Sequence, residues 1–447
     1  MTFAPRALAD RLEGWARRWN AILPLLLAEL IIWLGFGALL PIMPLYFSEH
    51  GVDFATLGVV VAAWPASRLV GEPIFGWIAD RTARVPLMVA GNVGAGIFGF
   101  LPLVLVGVGP FIALRALAGL STALYDPAAR GFIADATPAD RRGEAFGLYG
   151  AAQMGGLLLG PAIGGLGATI FGGVAFIFVF GGLASLAAAV AIALRVREPV
   201  REPANPSAAR RLGARDVTDY GSGTGDLVRR TIAGGDGSEV AVEDGGTAGP
   251  TTLLNPWLIA GLLFTVGGNF AYGTYEVVWS LYLQRLGAGL DLIGLTFAMF
   301  GLPILVLSPW FGRRIDRGGL TPYLIAGTLL PIAAALAYTA LVDPLLAVPL
   351  ILVEATGSAI GSPALYSIVA TGSPRGRSST AQGIVGAAGT LAFVVASLST
   401  GWAMTIDIKL PFYLFAIVMA AFSAAAFAVL RPWTRNPHRG REVAAPV

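Results

Sequence analysis

GLYGAAQMGGLLLGPAIGG, residues 147–165, decides how the rest of the chain is read. The stretch is apolar enough for a membrane helix, yet it holds seven glycines and one proline. Gly147, Gly156 and Gly160 fall at steps of nine and four, Pro161 follows directly, and Gly164 and Gly165 close the run. Glycine lets neighbouring backbones approach, so Gly156 and Gly160 form a small-xxx-small packing face. Pro161 removes a backbone donor and crowds the preceding turn. A helix in water gains nothing from this combination. A membrane helix that packs closely, bends and slides does.

Outward from that stretch, the composition repeats the message. Of 447 residues, 55% are hydrophobic and 13% charged. Apolar stretches of about 20 residues recur, as in a polytopic membrane protein. Cysteine is absent, which excludes disulfides and thiolate chemistry. The two histidines, His50 and His438, lie in a short loop and in the tail and cannot share a metal. There is no nucleotide-binding P-loop, no nucleophile–base pair and no metal-ligand cluster, so neither an ATP-driven pump nor an enzyme is expected. No cofactor is expected beyond protons as a coupling ion.

Twelve spans are predicted, at 21–46, 56–79, 85–107, 111–134, 145–169, 172–195, 257–283, 291–311, 321–342, 346–370, 380–402 and 410–430. They read as helices, since barrel strands would give short alternating segments and lipid demands internally satisfied backbones. The first run is too long for a signal-peptide core and follows a short arm carrying Arg6, Arg11, Arg17 and Arg18. With the N-terminus in the cytosol, 26 of the 30 Lys and Arg fall on the cytosolic side and only Arg285 and Lys409 on the other. The expected organisation is an arm (1–20), a six-helix bundle (21–195), a cytosolic linker (196–256), a second six-helix bundle (257–430) and a tail (431–447). The expected location is a bacterial inner membrane, with both termini cytosolic. The linker is polar and Gly-rich, and acids dilute its arginines, so no nucleic-acid partner is expected.

The halves read as diverged repeats. Gly76-Trp-Ile-Ala-Asp80-Arg81 follows span 2, and Gly312-Arg-Arg-Ile-Asp316-Arg317 follows span 8. Two matched bundles around a central path are the plan of many secondary transporters. On these residues the chain resembles the major facilitator superfamily over nearly its full length, and within it the twelve-span drug:proton antiporters. Gly76, Asp80, Arg81 and Arg84 look like the family's loop motif between spans 2 and 3, with Ala83 in place of the usual glycine. Arg115, Gly119, Asp135 and Arg142 look like its span 4 pattern, and 147–165 like the span 5 signature of its antiporters. The resemblance implies an all-α fold of two pseudo-symmetric bundles that rock to expose a cavity to each side in turn, lined by spans 1, 4, 7 and 10. It also implies that Asp80 meets the start of span 11, near Ser379 and Thr380, and that Arg115 couples protonation to the rocking.

Physically, a carboxylate at Asp80 suits the free N–H groups and positive end of a nearby helix start. Arg81, Arg84, Arg141 and Arg142 can complete a gate there, with Asp316 and Arg317 as the repeat; the plainer reading is an interfacial turn. Gly156, Gly160, Pro161, Gly164 and Gly165 belong to the same moving parts.

Ionisable residues inside spans are costly and mark function. They are Glu29, Arg68 and Glu72, Arg115, Asp126 and Arg130, Glu276 and Glu354. Glu29 and Glu72 lie at similar depth, so a triad with Arg68 is open to them, and Glu29 is the first choice for carrying the proton. Its competing reading is a static pair with Arg68. Glu276 and Glu354 form a second candidate site, where two facing acids would share a proton. Trp33, Phe36, Met154, Asn269, Tyr272, Tyr275 and Trp279 can line an aromatic cavity for bulky compounds, or serve as packing. The expected function is proton-coupled efflux of hydrophobic or amphipathic small molecules, by a protein that needs no oligomer. The alternative is export of a physiological solute such as a lysolipid, sugar or siderophore.

Overall fold

The protein is described by a computed structural model covering residues 15, 18–138, 141–171, 173–198, 255–318, 320–373 and 378–435. Most of the N-terminal arm, the linker over 199–254 and the tail from 436 lie outside the described residues. Each expected span has its helix: α1a (Leu23–Leu39) with α1b (Met43–Glu49), α2 (Phe54–Ala79), α3 (Arg84–Phe100), α4 (Val108–Ala136), α5 (Arg142–Ile170), α6 (Ala175–Arg195), α7 (Pro256–Arg285), α8 (Leu290–Gly318), α9 (Thr321–Tyr338), α10 (Ala347–Gly372), α11 (Ser378–Met404) and α12 (Leu410–Arg435).

Local chemistry sets the helix ends. Asp53 caps α2, its carboxylate accepting from the Thr56 hydroxyl at 2.6 Å and the Thr56 N–H at 3.1 Å. Those bonds hold the Asp53 carboxyl below its ordinary value. Asn255 caps α7 by accepting from Leu258 N–H at 3.0 Å, and its amide donates to the Gly372 carbonyl at 2.7 Å, tying α7 to the end of α10. The first span bends by 42° between α1a and α1b, where Pro41 and Pro44 interrupt it.

Among the described residues, nine helices are long and apolar enough to cross a membrane, and the bent pair makes a tenth. The other two, α5 and α7, have 29 and 30 residues. Their glycines, with Gln153 in one and Asn269 in the other, lower their hydropathy. Much of α7 is buried among its neighbours, whereas α5 leaves Leu159, Leu166 and Ile170 exposed.

In the first half, α1a packs on α5 and α6, α4 on α2 and α3, and α3 on α6. In the second, α7 packs on α10, α11 and α12, and α10 on α8 and α9. The halves meet along two seams, α2 with α11 and α5 with α8. At each seam glycine meets glycine. A β-carbon on Gly165 would lie 2.5 Å from the Leu290 carbonyl and 3.1 Å from Gly294 Cα; one on Gly58 would lie 2.4 Å from the Ser397 carbonyl and 3.1 Å from Gly401 Cα. The opening stretch is thereby explained. Gly156, Gly160 and Gly164 press α5 against α1a, while Gly165 and the Pro161 carbonyl meet α8.

Among the described residues, the buried core joins the halves at one end only. Ile42, Phe47, Leu57 and Phe111 share a single buried cluster with Val277, Trp279, Tyr338 and Phe412. At the arginine-rich end, Trp19, Met88, Phe132 and Tyr149 form one cluster, and Phe264, Ile315, Leu324 and Ile368 another. The glycines agree. Gly147 and Gly150 on α5, and Gly383 and Gly386 on α11, have nothing within 4 Å of a notional β-carbon. Among the described residues, a shared core closes one end, and no buried cluster joins the halves at the arginine-rich end, the parted end.

Candidate functional site

Among the described residues, the ionisable groups inside the bundles fall into four sets. The first surrounds Glu29, which is 0% exposed on α1a. Trp33 Nε1, four residues on, donates to its Oε1 at 2.8 Å, and Gln153 Nε2 of α5 donates to the same atom at 2.7 Å. Tyr125 of α4 donates its hydroxyl to Oε2. Every one of these donors is neutral. Three donors suit an ionised carboxylate, which only accepts.

The second set lies between α2 and α4. Arg68 donates to Glu72 Oε1 at 2.5 and 3.0 Å and also pairs with Asp126. Arg130 stands 3.8 Å from both acids. The triad open to Glu29, Arg68 and Glu72 takes a different form: Arg68 is turned to Asp126, and Glu29 is left to its neutral donors.

The third set crosses between the halves. Arg115 of α4 pairs with Glu276 of α7 at 3.1 Å, and both side chains are about nine-tenths buried. The fourth is Glu354 on α10, which accepts from the Tyr338 hydroxyl at 2.8 Å. Tyr275, Trp279 and Phe412 pack around Tyr338. Glu276 and Glu354 thus have separate partners, and no described contact joins them.

Near the arginine-rich end, Asp80 lies 4.0 Å from Arg84, which also pairs with Asp135 at 2.8 Å. Glu198, just after α6, accepts from Arg84 N–H and Val85 N–H at 2.8 Å each and caps α3. Arg81 stacks on Trp77 at 4.0 Å, and in the second half Arg314 stacks on Trp310 at 3.8 Å, three positions out of register with the sequence repeat. Gly76 faces the Pro127 side chain. The side chains of Arg142, Asp316, Arg317, Ser379 and Thr380 lie outside the described residues.

Trp33 and Phe36 line a cavity in the first half with Trp64, Asn92, Arg68 and Arg115. Phe36 stacks on Trp64 at 5.3 Å, and the Arg68 guanidinium lies 4.6 Å from the same ring. Met154 and Tyr272 are exposed. Asn269 donates to the Thr265 carbonyl of its own helix at 3.0 Å. Trp279, 2% exposed, donates to Thr296 of α8 and belongs to the closed-end core. The face Tyr272–Tyr275–Glu276–Trp279 therefore divides: Tyr272 is exposed, and the other three go to packing or to Arg115.

Sequence reasoning passed over Tyr125, Gln153, Tyr338 and Glu198. Gln153 had a legible signal, as the one amide in the apolar run 145–169. Tyr125 and Tyr338 gave none, since tyrosine is common in packed helices.

Comparison with known proteins places this geometry. A family model described as Major Facilitator Superfamily matches residues 25–275 and 258–447. Over 191 residues the sequence is 34% identical to "Multidrug resistance protein 1" of Bacillus subtilis (strain 168), covering 42% of this chain and 48% of that protein. Over 164 residues it is 30% identical to "Quinolone resistance protein NorA" of Staphylococcus aureus (strain Mu50 / ATCC 700699), covering 37% and 42%. The chain thus spans about half the length of the curated relatives it matches. A bacterial homolog of the human lysosomal transporter Spinster, solved in an inward-facing and occupied conformation, superposes with a TM-score of 0.72 at 15% identity, covering 97% of this chain and 99% of that one. A D-xylose-proton symporter superposes at 0.65 and 16% identity, covering 92% and 97%. At such identity these two likenesses concern the fold.

Proposed function

Because the chain belongs to the Major Facilitator Superfamily, we propose that it is a proton-coupled exporter of hydrophobic or amphipathic small molecules, working by alternating access in a bacterial plasma membrane. Its parted, arginine-rich end faces the cytosol, both termini lie there, and one copy suffices. The two six-helix halves at 21–195 and 257–430 are the rocking bodies. The observation that carries the reading is Glu29: a buried carboxylate with three neutral donors, one of which, Trp33, also walls an aromatic cavity.

The form described suits the moment after proton release to the cytosol. Glu29 as a carboxylate accepts from all three donors, Trp33, Gln153 and Tyr125. At the other end the Arg115–Glu276 pair spans the halves and closes the exit. Parting the halves there would strand two buried charges, which is strongly unfavourable. Cargo that competes for one member, followed by a proton from outside on Glu276, removes that obstacle. The Arg68–Glu72–Asp126–Arg130 set lies wholly in the first half and moves with it. Trp33, Phe36 and Trp64 supply ring faces for apolar and aromatic cargo.

The test is transport by the purified protein in vesicles with an imposed proton gradient, screening lipophilic cations, neutral drugs, lysolipids and sugars. Movement of the first two classes should follow the gradient, and Glu29→Gln should uncouple it. Movement indifferent to the gradient would end the antiport reading. Gradient-driven movement of sugars or lysolipids alone would turn it to a physiological solute.

A further inference from the structure

Arg285 and Lys409 are the two basic residues of the thirty that fall on the closed face. The fold brings them to one groove, though 124 positions separate them. Arg285 ends α7, where Gly287 at φ +90° turns the chain away. Lys409 immediately precedes α12, held by an Asx turn in which Asp407 Oδ1 accepts from Lys409 N–H at 2.7 Å. The groove between them measures about 650 Å³ and also takes in Asp407, Val342, Ile406 and Phe54. Against about 30 Å³ for a water molecule, that admits a phosphoglycerol headgroup.

Three observations point to the same occupant. First, among the described residues neither Arg285 nor Lys409 has a carboxylate within ion-pair distance. The acid in the groove, Asp407, is engaged with backbone N–H. Second, the rim is apolar and bare: Val342 is 84% exposed and Ile406 62%. Third, Trp402, also exposed, stands two residues before the end of α11, at the level where tryptophan marks a membrane–water boundary. Cations in a wet groove beside bare aliphatic side chains match a phosphate joined to acyl chains; a free phosphate would leave the rim without a partner.

We propose that this groove binds the headgroup of an anionic phospholipid from the leaflet at the closed face, with Arg285 and Lys409 on its phosphate and acyl chain against Val342 and Ile406. Phe54 gives the site a second consequence. It belongs to the first half, and its carbonyl lies at the Gly58–Gly401 crossing. A lipid seated there touches both halves and favours the closed end. That consequence rests on the transport reading; the binding itself does not.

Native mass spectrometry of the full chain in detergent measures the binding directly, without transport. With phosphatidylglycerol, phosphatidylcholine or inorganic phosphate added, the protein should retain phosphatidylglycerol in preference to the other two. Each basic side chain near an anionic headgroup contributes about a fivefold factor, so Arg285→Gln with Lys409→Gln should lower that retention about thirtyfold. Retention should also fall with added salt in the unaltered protein. Equal retention of the two lipids, or equal retention by the unaltered and doubly altered proteins, would overturn the proposal. Inorganic phosphate displacing phosphatidylglycerol would reduce the groove to a small-anion site. If the double variant fails to assemble, Arg285→Lys with Lys409→Arg must keep the lipid, and the salt dependence decides alone.

Discussion

The two ends of the molecule handle charge in opposite ways. At the closed end, the acid Glu276 has its base, Arg115, on the other half. Toward the parted end, each ion pair found among the described residues stays within the first half, as Arg68 with Glu72 and Asp126 or Arg84 with Asp135. A pair inside one half survives rigid rocking. A pair between halves must break when they separate, so it registers which end is closed. The glycines divide likewise, jammed at Gly165 and Gly58 and open at Gly147 and Gly383.

Removing one member of the crossing pair is the strongest way to break the contrast. Arg115→Ala leaves Glu276 buried without a cation, at a cost of about 3–5 kcal/mol to the closed end. Because the chain has no cysteine, one at Leu57, fully buried in the closed-end core, can report by maleimide labelling. Labelling should rise steeply in Arg115→Ala and fall back when Arg115→Met is combined with Glu276→Met. Unchanged labelling would mean the pair does not hold that end.

A smaller effect separates the glycines. Gly165→Ala forces a methyl against the Leu290 carbonyl and should destabilise the closed end by about 1–3 kcal/mol. Gly147→Ala meets nothing and should be neutral or stabilising by about 0.5–1 kcal/mol through helix propensity. Thermal unfolding of both in detergent checks this; equal losses would erase the distinction between the ends.

The smallest effect lies at the start of α2. Asp53→Ala removes the cap and should cost about 1 kcal/mol, read as faster hydrogen exchange in the first turn of α2. Since the folded Asp53 carboxyl sits below its ordinary value, the cap contributes fully above the unfolded carboxyl's value. That contribution fades as pH falls through the lowered one. Protection of that turn, taken relative to the intrinsic exchange rate at each pH, should therefore fall in acid in the unaltered protein and not in Asp53→Ala.

Much of this was legible in the residues. The twelve spans, the sorting of arginine, the repeat at Gly76–Arg81 and Gly312–Arg317, and the short roll of buried acids all follow from hydropathy and spacing. So do the pairs four residues apart, Arg68 with Glu72 and Asp126 with Arg130, because a helix places such residues on one face. The partners that define the site did not follow. Tyr125 reaches Glu29 across 96 positions and Arg115 reaches Glu276 across 161.

By itself, then, the sequence determined the solvent the chain lives in, the helices that solvent requires, and which side chains are too costly to be idle there. Only the tertiary structure decided that Arg68 turns to Asp126 and not to Glu29. It also decided that one face of the 147–165 glycines presses on α1a while Gly165 meets the other half. The physical reason is range. Hydropathy and helical period act along a few turns of one chain, whereas the choice of partner is made where helices distant in sequence pack, by the shape and charge of all of them together.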